Sequence, residues 1–111
     1  MKWGEGMDLY DVIITPRAWK QLDDYIAYVQ FTLLNEQAAK AIWLDAIETA
    51  DKLKEVAGSL KFCTNSSLSE LGYRPILFRH HNYVMLYRVE AQTAYVEAIY
   101  HTLQDYENTF A

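Results

Sequence analysis

The chain has 111 residues, 51% of them hydrophobic, 14% aromatic and 23% charged, which suits one domain and leaves no room for two ordinary ones. Ten Lys and Arg against fifteen Asp and Glu give a net charge of −5, the wrong sign for a generic nucleic-acid coater, which needs surplus cation for phosphates. One cysteine, Cys63, excludes an internal disulfide and suits a reducing, cytoplasmic setting; no apolar run approaches the ~20 residues of a membrane span, and Met1–Met7 lacks the apolar stretch of a signal peptide.

Regular patterning begins only after Met7, so residues 1–6 read as an N-terminal extension, a candidate for disorder, and residues 7–111 as a single domain. Leu9–Thr15 is rich in β-branched and aromatic residues and predicts a first strand. Thr15 then Pro16 is a helix opening: a hydroxyl able to cap, followed by a residue whose missing N–H costs nothing at the first helical position. Ala18, Leu22, Tyr25, Ile26, Val29 and Leu33 recur at three- and four-residue steps and form one apolar stripe. Asn35 predicts the cap of a second helix, with Glu36 in its first turn, whose period runs through Ile42, Ala46 and Leu53 until Gly58 stops it. The short connector forces the two helices into a hairpin, with Trp19 and Trp43 as large fillers.

Gly58–Gly72 has no sustained period and is serine-rich, which predicts a long loop. Three strand-like runs follow, Tyr73–Arg79, Tyr83–Glu90 and Thr93–His101, with separators short enough for an antiparallel meander. Pro75 confines its strand to an edge, and Thr102–Ala111 predicts a last helical turn or two. The fold class is therefore α+β, in the order β-α-α-β-β-β with a short terminal α, the helix hairpin packed on one face of an antiparallel-rich sheet. In Tyr83–Val89 both parities carry apolar or aromatic residues, whereas a sheet with one wet face shows polar residues on one of them. Because a single hairpin covers a single face, the other face is expected to be a partner groove, with Tyr83 and Tyr87 as candidates to line it.

Three segments, YDVIITPRAWKQLDDYIAYV, LGYRPILFRHHNYVMLYRVE and AYVEAIYHTLQD, resemble in matching order the RelE/ParE superfamily of type II toxin–antitoxin toxins, also called plasmid-stabilisation proteins. The second is similar to the family's Gly-Tyr-Arg and Tyr-x-x-x-Tyr-Arg-Val pattern through Tyr83, Tyr87, Arg88 and Val89, and the third to its closing strand through His101, Gln104 and Asp105. The resemblance implies a growth-inhibiting cytoplasmic toxin with no cofactor, neutralised by a cognate, co-encoded antitoxin whose extended segment wraps it. ParE-like members inhibit DNA gyrase; RelE-like members enter the ribosome and cleave mRNA. Cleavage by 2′-OH attack needs a base, an acid and cations over the phosphorane, yet Pro75, Leu77, Val84 and Leu103 stand where RelE-like members carry Lys or Arg. A ParE-like toxin that occupies a protein surface is therefore the leading reading. The alternatives are a ribosome-dependent mRNA endonuclease with an atypical site of His101, Tyr106 and Arg79, and a non-toxic relative that only binds the antitoxin. A dimer and a toxin–antitoxin hetero-oligomer both stay open.

Between Glu70 and Glu90 no acidic residue occurs, while Arg74, Arg79, His80, His81 and Arg88 all fall there. This is the cationic region of an acidic chain, and with Tyr83 and Tyr87 it forms the expected partner surface; the competing reading pairs its arginines with carboxylates on the helices. His80, His81 and His101 do not read as a metal site, because neighbours on a strand point to opposite faces. Cys63 lacks an activating base and reads as structural.

Overall fold

The computed structural model describes residues 9–111, so the extension expected at residues 1–6 lies outside the described residues. The elements follow the expected order: β1 (Asp11–Ile14), α1 (Pro16–Ala27) running into a π-helical turn (Tyr28–Thr32), α2 (Glu36–Val56), α3 (Ser66–Glu70), β2 (Arg74–Leu77), β3 (Tyr83–Glu90), β4 (Thr93–His101) and α4 (Tyr106–Phe110). Thr15 is extended and its Oγ1 accepts the Ala18 N–H at 3.3 Å, with Pro16 behind it as the first helical residue. Asn35 Oδ1 accepts the Ala38 N–H at 3.0 Å and starts α2. Between the helices Leu34 adopts a left-handed φ of 54°, and Trp19 stacks on Trp43 with ring centroids 5.3 Å apart.

The four strands lie in the order β1-β4-β3-β2, with β1 parallel to β4 and β3 antiparallel to both β4 and β2. Pro75 sits on the edge strand β2, as its missing N–H requires. The β3–β4 register slips by one residue: Leu86 faces Ala98 but Tyr87 faces Val96, so Glu97 is the extra residue of a β-bulge. On one face Tyr83, Met85, Tyr87, Val96 and Ile99 pack against Ala18, Leu22, Ile42, Ala46 and Leu53 of the helices.

The opposite face corrects the expectation of an open groove. Val84, Leu86 and Ala98 are fully buried there, with Tyr100, beneath Cys63 and Leu68, and Tyr73, Tyr106 and Phe110 pack on the same cluster. The segment expected to be a plain loop thus folds as a lid: Asn65 Oδ1 caps the short α3 by accepting the Leu68 N–H at 3.1 Å, and α4 closes the remainder. β3 is apolar on both parities because both of its faces are covered by its own chain.

Candidate functional site

The α2 stripe runs Ile42, Asp45, Ala46, Thr49, Leu53, and a carboxylate therefore points into the protein. Asp45 is 2% exposed, so its charge needs donors. They come from the turn between β2 and β3: Oδ1 accepts the Arg79 N–H at 3.2 Å, Oδ2 accepts the His80 N–H at 2.9 Å, and Oδ2 also lies 2.7 Å from His81 Nδ1. Burial pushes the Asp45 carboxyl up, but the His81 bond, the His80 N–H and the two imidazoles outweigh it and hold the group below the usual aspartate value. One helix side chain thereby clamps the whole turn.

The clamp fixes what the turn displays. Arg79 is exposed and has no carboxylate partner among the described residues. His80 Nε2 lies 3.8 Å from Glu48 Oε1, both side chains being largely exposed. Arg79 also lines a groove of about 660 Å³ between α2 and β2, opposite Glu48, Asp51 and Glu55.

The other expected partner residues are committed elsewhere. Tyr83 and Tyr87 belong to the parity that faces the helices, not to an open face. Tyr87 donates to the Ala57 carbonyl at 2.9 Å, and burial pushes its hydroxyl up to about 12. Tyr83 is enclosed by Tyr25, Phe78 and His101, with ring centroids at 5.1, 5.5 and 5.2 Å. Arg74 Nη1 donates to the same Ala57 carbonyl at 3.0 Å and its guanidinium covers the Phe62 ring at 4.2 Å, so Arg74 and Tyr87 together cap the end of α2. Arg88 bonds Glu90 and the bulged Glu97 and covers the Tyr95 ring, and those carboxylates raise its pKa further. Neither arginine meets a helix carboxylate as the competing reading had it: Arg74 bonds a backbone carbonyl and Arg88 two strand glutamates; His81 is half-buried against Asp45, which leaves Arg79 and His80 at the surface.

Of the three residues of the atypical nuclease site, His101 and Tyr106 pack in different clusters. His101 meets Tyr83 on the helix face, and its Nδ1 accepts the Leu103 N–H at 3.1 Å. Tyr106 packs in the cluster on the opposite face, where burial and the neighbouring Glu107 raise its hydroxyl pKa. The sheet separates an acid on one side from a base on the other.

The turn also revises the argument about histidines. His80 and His81 lie in a bend rather than on a strand, and both reach toward α2. One atom each of Asp45, Glu48 and His80 lies within 4.8 Å of the others, the one such group among the described residues. Asp45 already accepts three donors, so the cluster works as a clamp on the turn. Sequence reasoning missed Asp45, although a carboxylate in the middle of an apolar stripe was the available signal.

A family model described as the ParE toxin of type II toxin–antitoxin systems (parDE) matches residues 12–106. Among solved structures, the chain is similar to the "Chromosomal ParDE TA system from P. aeruginosa", with a TM-score of 0.69 and 20% identity over 85% of this chain and 97% of that one. At that identity the likeness speaks for the fold. No curated protein matches the chain significantly.

Proposed function

The chain belongs to the ParE toxin family of type II toxin–antitoxin systems, and from that premise we propose that it acts by seating on a protein target, DNA gyrase, until a co-encoded antitoxin removes it. The observation that carries this reading is the rigid presentation of Arg79 and His80: three backbone or ring bonds to one buried carboxylate hold their turn against α2. A turn whose backbone is already fixed loses less entropy on docking, which favours a binding poison. Bond breaking is poorly served by the same geometry, since His101 and Tyr106 lie on opposite faces of the sheet.

Purified protein added to a gyrase supercoiling reaction is expected to inhibit it, and Arg79→Glu to need roughly ten times the concentration, the scale of a lost charged contact. The same protein in a translation extract is expected to leave transcripts uncut. Defined cleavage of mRNA, or an Arg79→Glu variant unchanged in both toxicity and antitoxin binding, would overturn the proposal.

A further inference from the structure

The clamp at Asp45 leaves one acceptor position over. A carboxylate offers about four lone-pair sites. Oδ2 spends two, on the His80 N–H and His81 Nδ1, whereas Oδ1 takes only the Arg79 N–H at 3.2 Å. The Asp45 side chain is 1% exposed, so the spare position has little bulk water to meet it.

Glu48 stands three residues further along α2, where i and i+3 side chains are neighbours, and sets a second negative charge beside the first. Among the described residues its one ionic partner is His80, whose Nε2 lies 3.8 Å from Glu48 Oε1, too far for a hydrogen bond. The turn that Asp45 clamps therefore delivers a ring nitrogen to two carboxylates, with one atom of each of the three within 4.8 Å of the others. An imidazole nitrogen with two carboxylate oxygens is a donor set for Zn²⁺ in a three-ligand site that keeps a water in the fourth place. Donors around a tetrahedral Zn²⁺ sit roughly 3.4 Å apart, so the 3.8 Å between His80 and Glu48 has only ~0.4 Å to close. Those two side chains are 57% and 61% exposed and can turn toward an ion, while Asp45 is already fixed by its three bonds. One rigid ligand and two adjustable ones let the metal set its own geometry.

We propose that α2 and the β2–β3 turn form a site for a divalent transition-metal ion of the Zn²⁺ class, held by Asp45, Glu48 and His80. The bond from His81 to Oδ2 orients the buried carboxylate from outside the ligand set. Mg²⁺ and Ca²⁺ take oxygen donors and gain nothing from an imidazole, so they are the disfavoured occupants. The inference goes beyond the target reading above and stands whether or not gyrase is the target.

The test uses the full, untagged chain, stripped of metal and titrated with ZnCl₂ in a calorimeter. One Zn²⁺ per chain is expected, and His80→Ala and Glu48→Gln should each weaken binding about tenfold or more. Both side chains are exposed, so the variants should unfold at the same temperature as the unmodified chain when no metal is present. Zn²⁺ should then raise the Tm of the unmodified chain and leave that of His80→Ala in place. Glu55→Gln removes the same charge from the same groove about two turns along α2 and is expected to alter affinity less than about twofold. Heteronuclear NMR of the imidazole rings reads the ligand itself: the His80 signal should shift on saturation with Zn²⁺, and excess MgCl₂ should reproduce none of that shift. Zn²⁺ that binds both variants as tightly as the unmodified chain, a shift confined to His101, or an equal response to Mg²⁺ overturns the inference. Absence of any Zn²⁺ binding does the same.

Discussion

The two faces of the sheet are closed in different ways. One lies under a continuous helical pair whose Leu22 and Leu53 are wholly buried. The other lies under two five-residue helices together with Cys63 and Tyr73, elements too short to persist on their own. Polar ties hold that second cover: Glu107 Oε1 accepts the Asn65 N–H at 2.7 Å and the Thr64 hydroxyl at 3.1 Å, and Asn65 Nδ2 donates to Asn108 at 2.9 Å. The contrast teaches that the helix face is inseparable from the global fold, whereas the lid face has the makings of a smaller unit that opens by itself.

The sharpest way to break that comparison is a cavity under the helices. Leu53→Ala should cost about 3–4 kcal/mol in urea unfolding, with all probes moving together. A loss confined to local exchange would show the helix face to be as separable as the lid. Next is the clamp: Asp45→Asn should cost about 2–3 kcal/mol, because three donors then face an amide in place of a charge. Since the folded Asp45 carboxyl lies below its ordinary value, its contribution should be complete above about pH 4 and vanish as pH falls through the lower folded value. An acid titration of stability in which Asp45→Asn loses the same amount as the unmodified chain would remove the clamp from the account.

Smaller effects are expected on the lid side. Glu107→Ala should cost about 1 kcal/mol, read as faster exchange of the Leu68 and Tyr73 amides with little change at Leu22. Equal acceleration on both sides would erase the distinction between the faces. Smallest is Ala91→Gly at the β3–β4 turn, where Ala91 holds a φ of 55°; relief of that conformation should stabilise by about 0.5 kcal/mol. That turn joins the two strands both covers share, so thermal unfolding should shift while the difference between the faces persists.

Much of this architecture was legible from local chemistry. Thr15-Pro16 and Asn35-Glu36 are capping sequences whose meaning does not depend on distant residues, and Pro75 identified an edge. The family resemblance, carried by Tyr83, Tyr87, Arg88 and His101, agreed with the match over residues 12–106. What failed was inference at long range. The apolar second parity of β3 was taken for an interface because its cover is scattered: Cys63 and Leu68 sit in a serine-rich stretch, and Tyr106 and Phe110, four apart, lie in the tail. No periodicity joins residues forty positions apart. The partner surface erred for a related reason, since Arg74, Tyr87 and Arg88 find their acceptors at Ala57, Glu90 and Glu97, and sequence spacing does not announce such pairings.

Cys63 turns the lid into a clock. Its thiol is roofed over, and burial, reinforced by the nearby Glu107, pushes it up to about 11, so almost no thiolate meets a soluble alkylating reagent while the cover is shut. Each excursion of the cover exposes sulfur at its normal acidity. The rate of iodoacetamide capture therefore counts those excursions, and an engaged partner that braces α3 or α4 should slow the count without ever touching the sulfur.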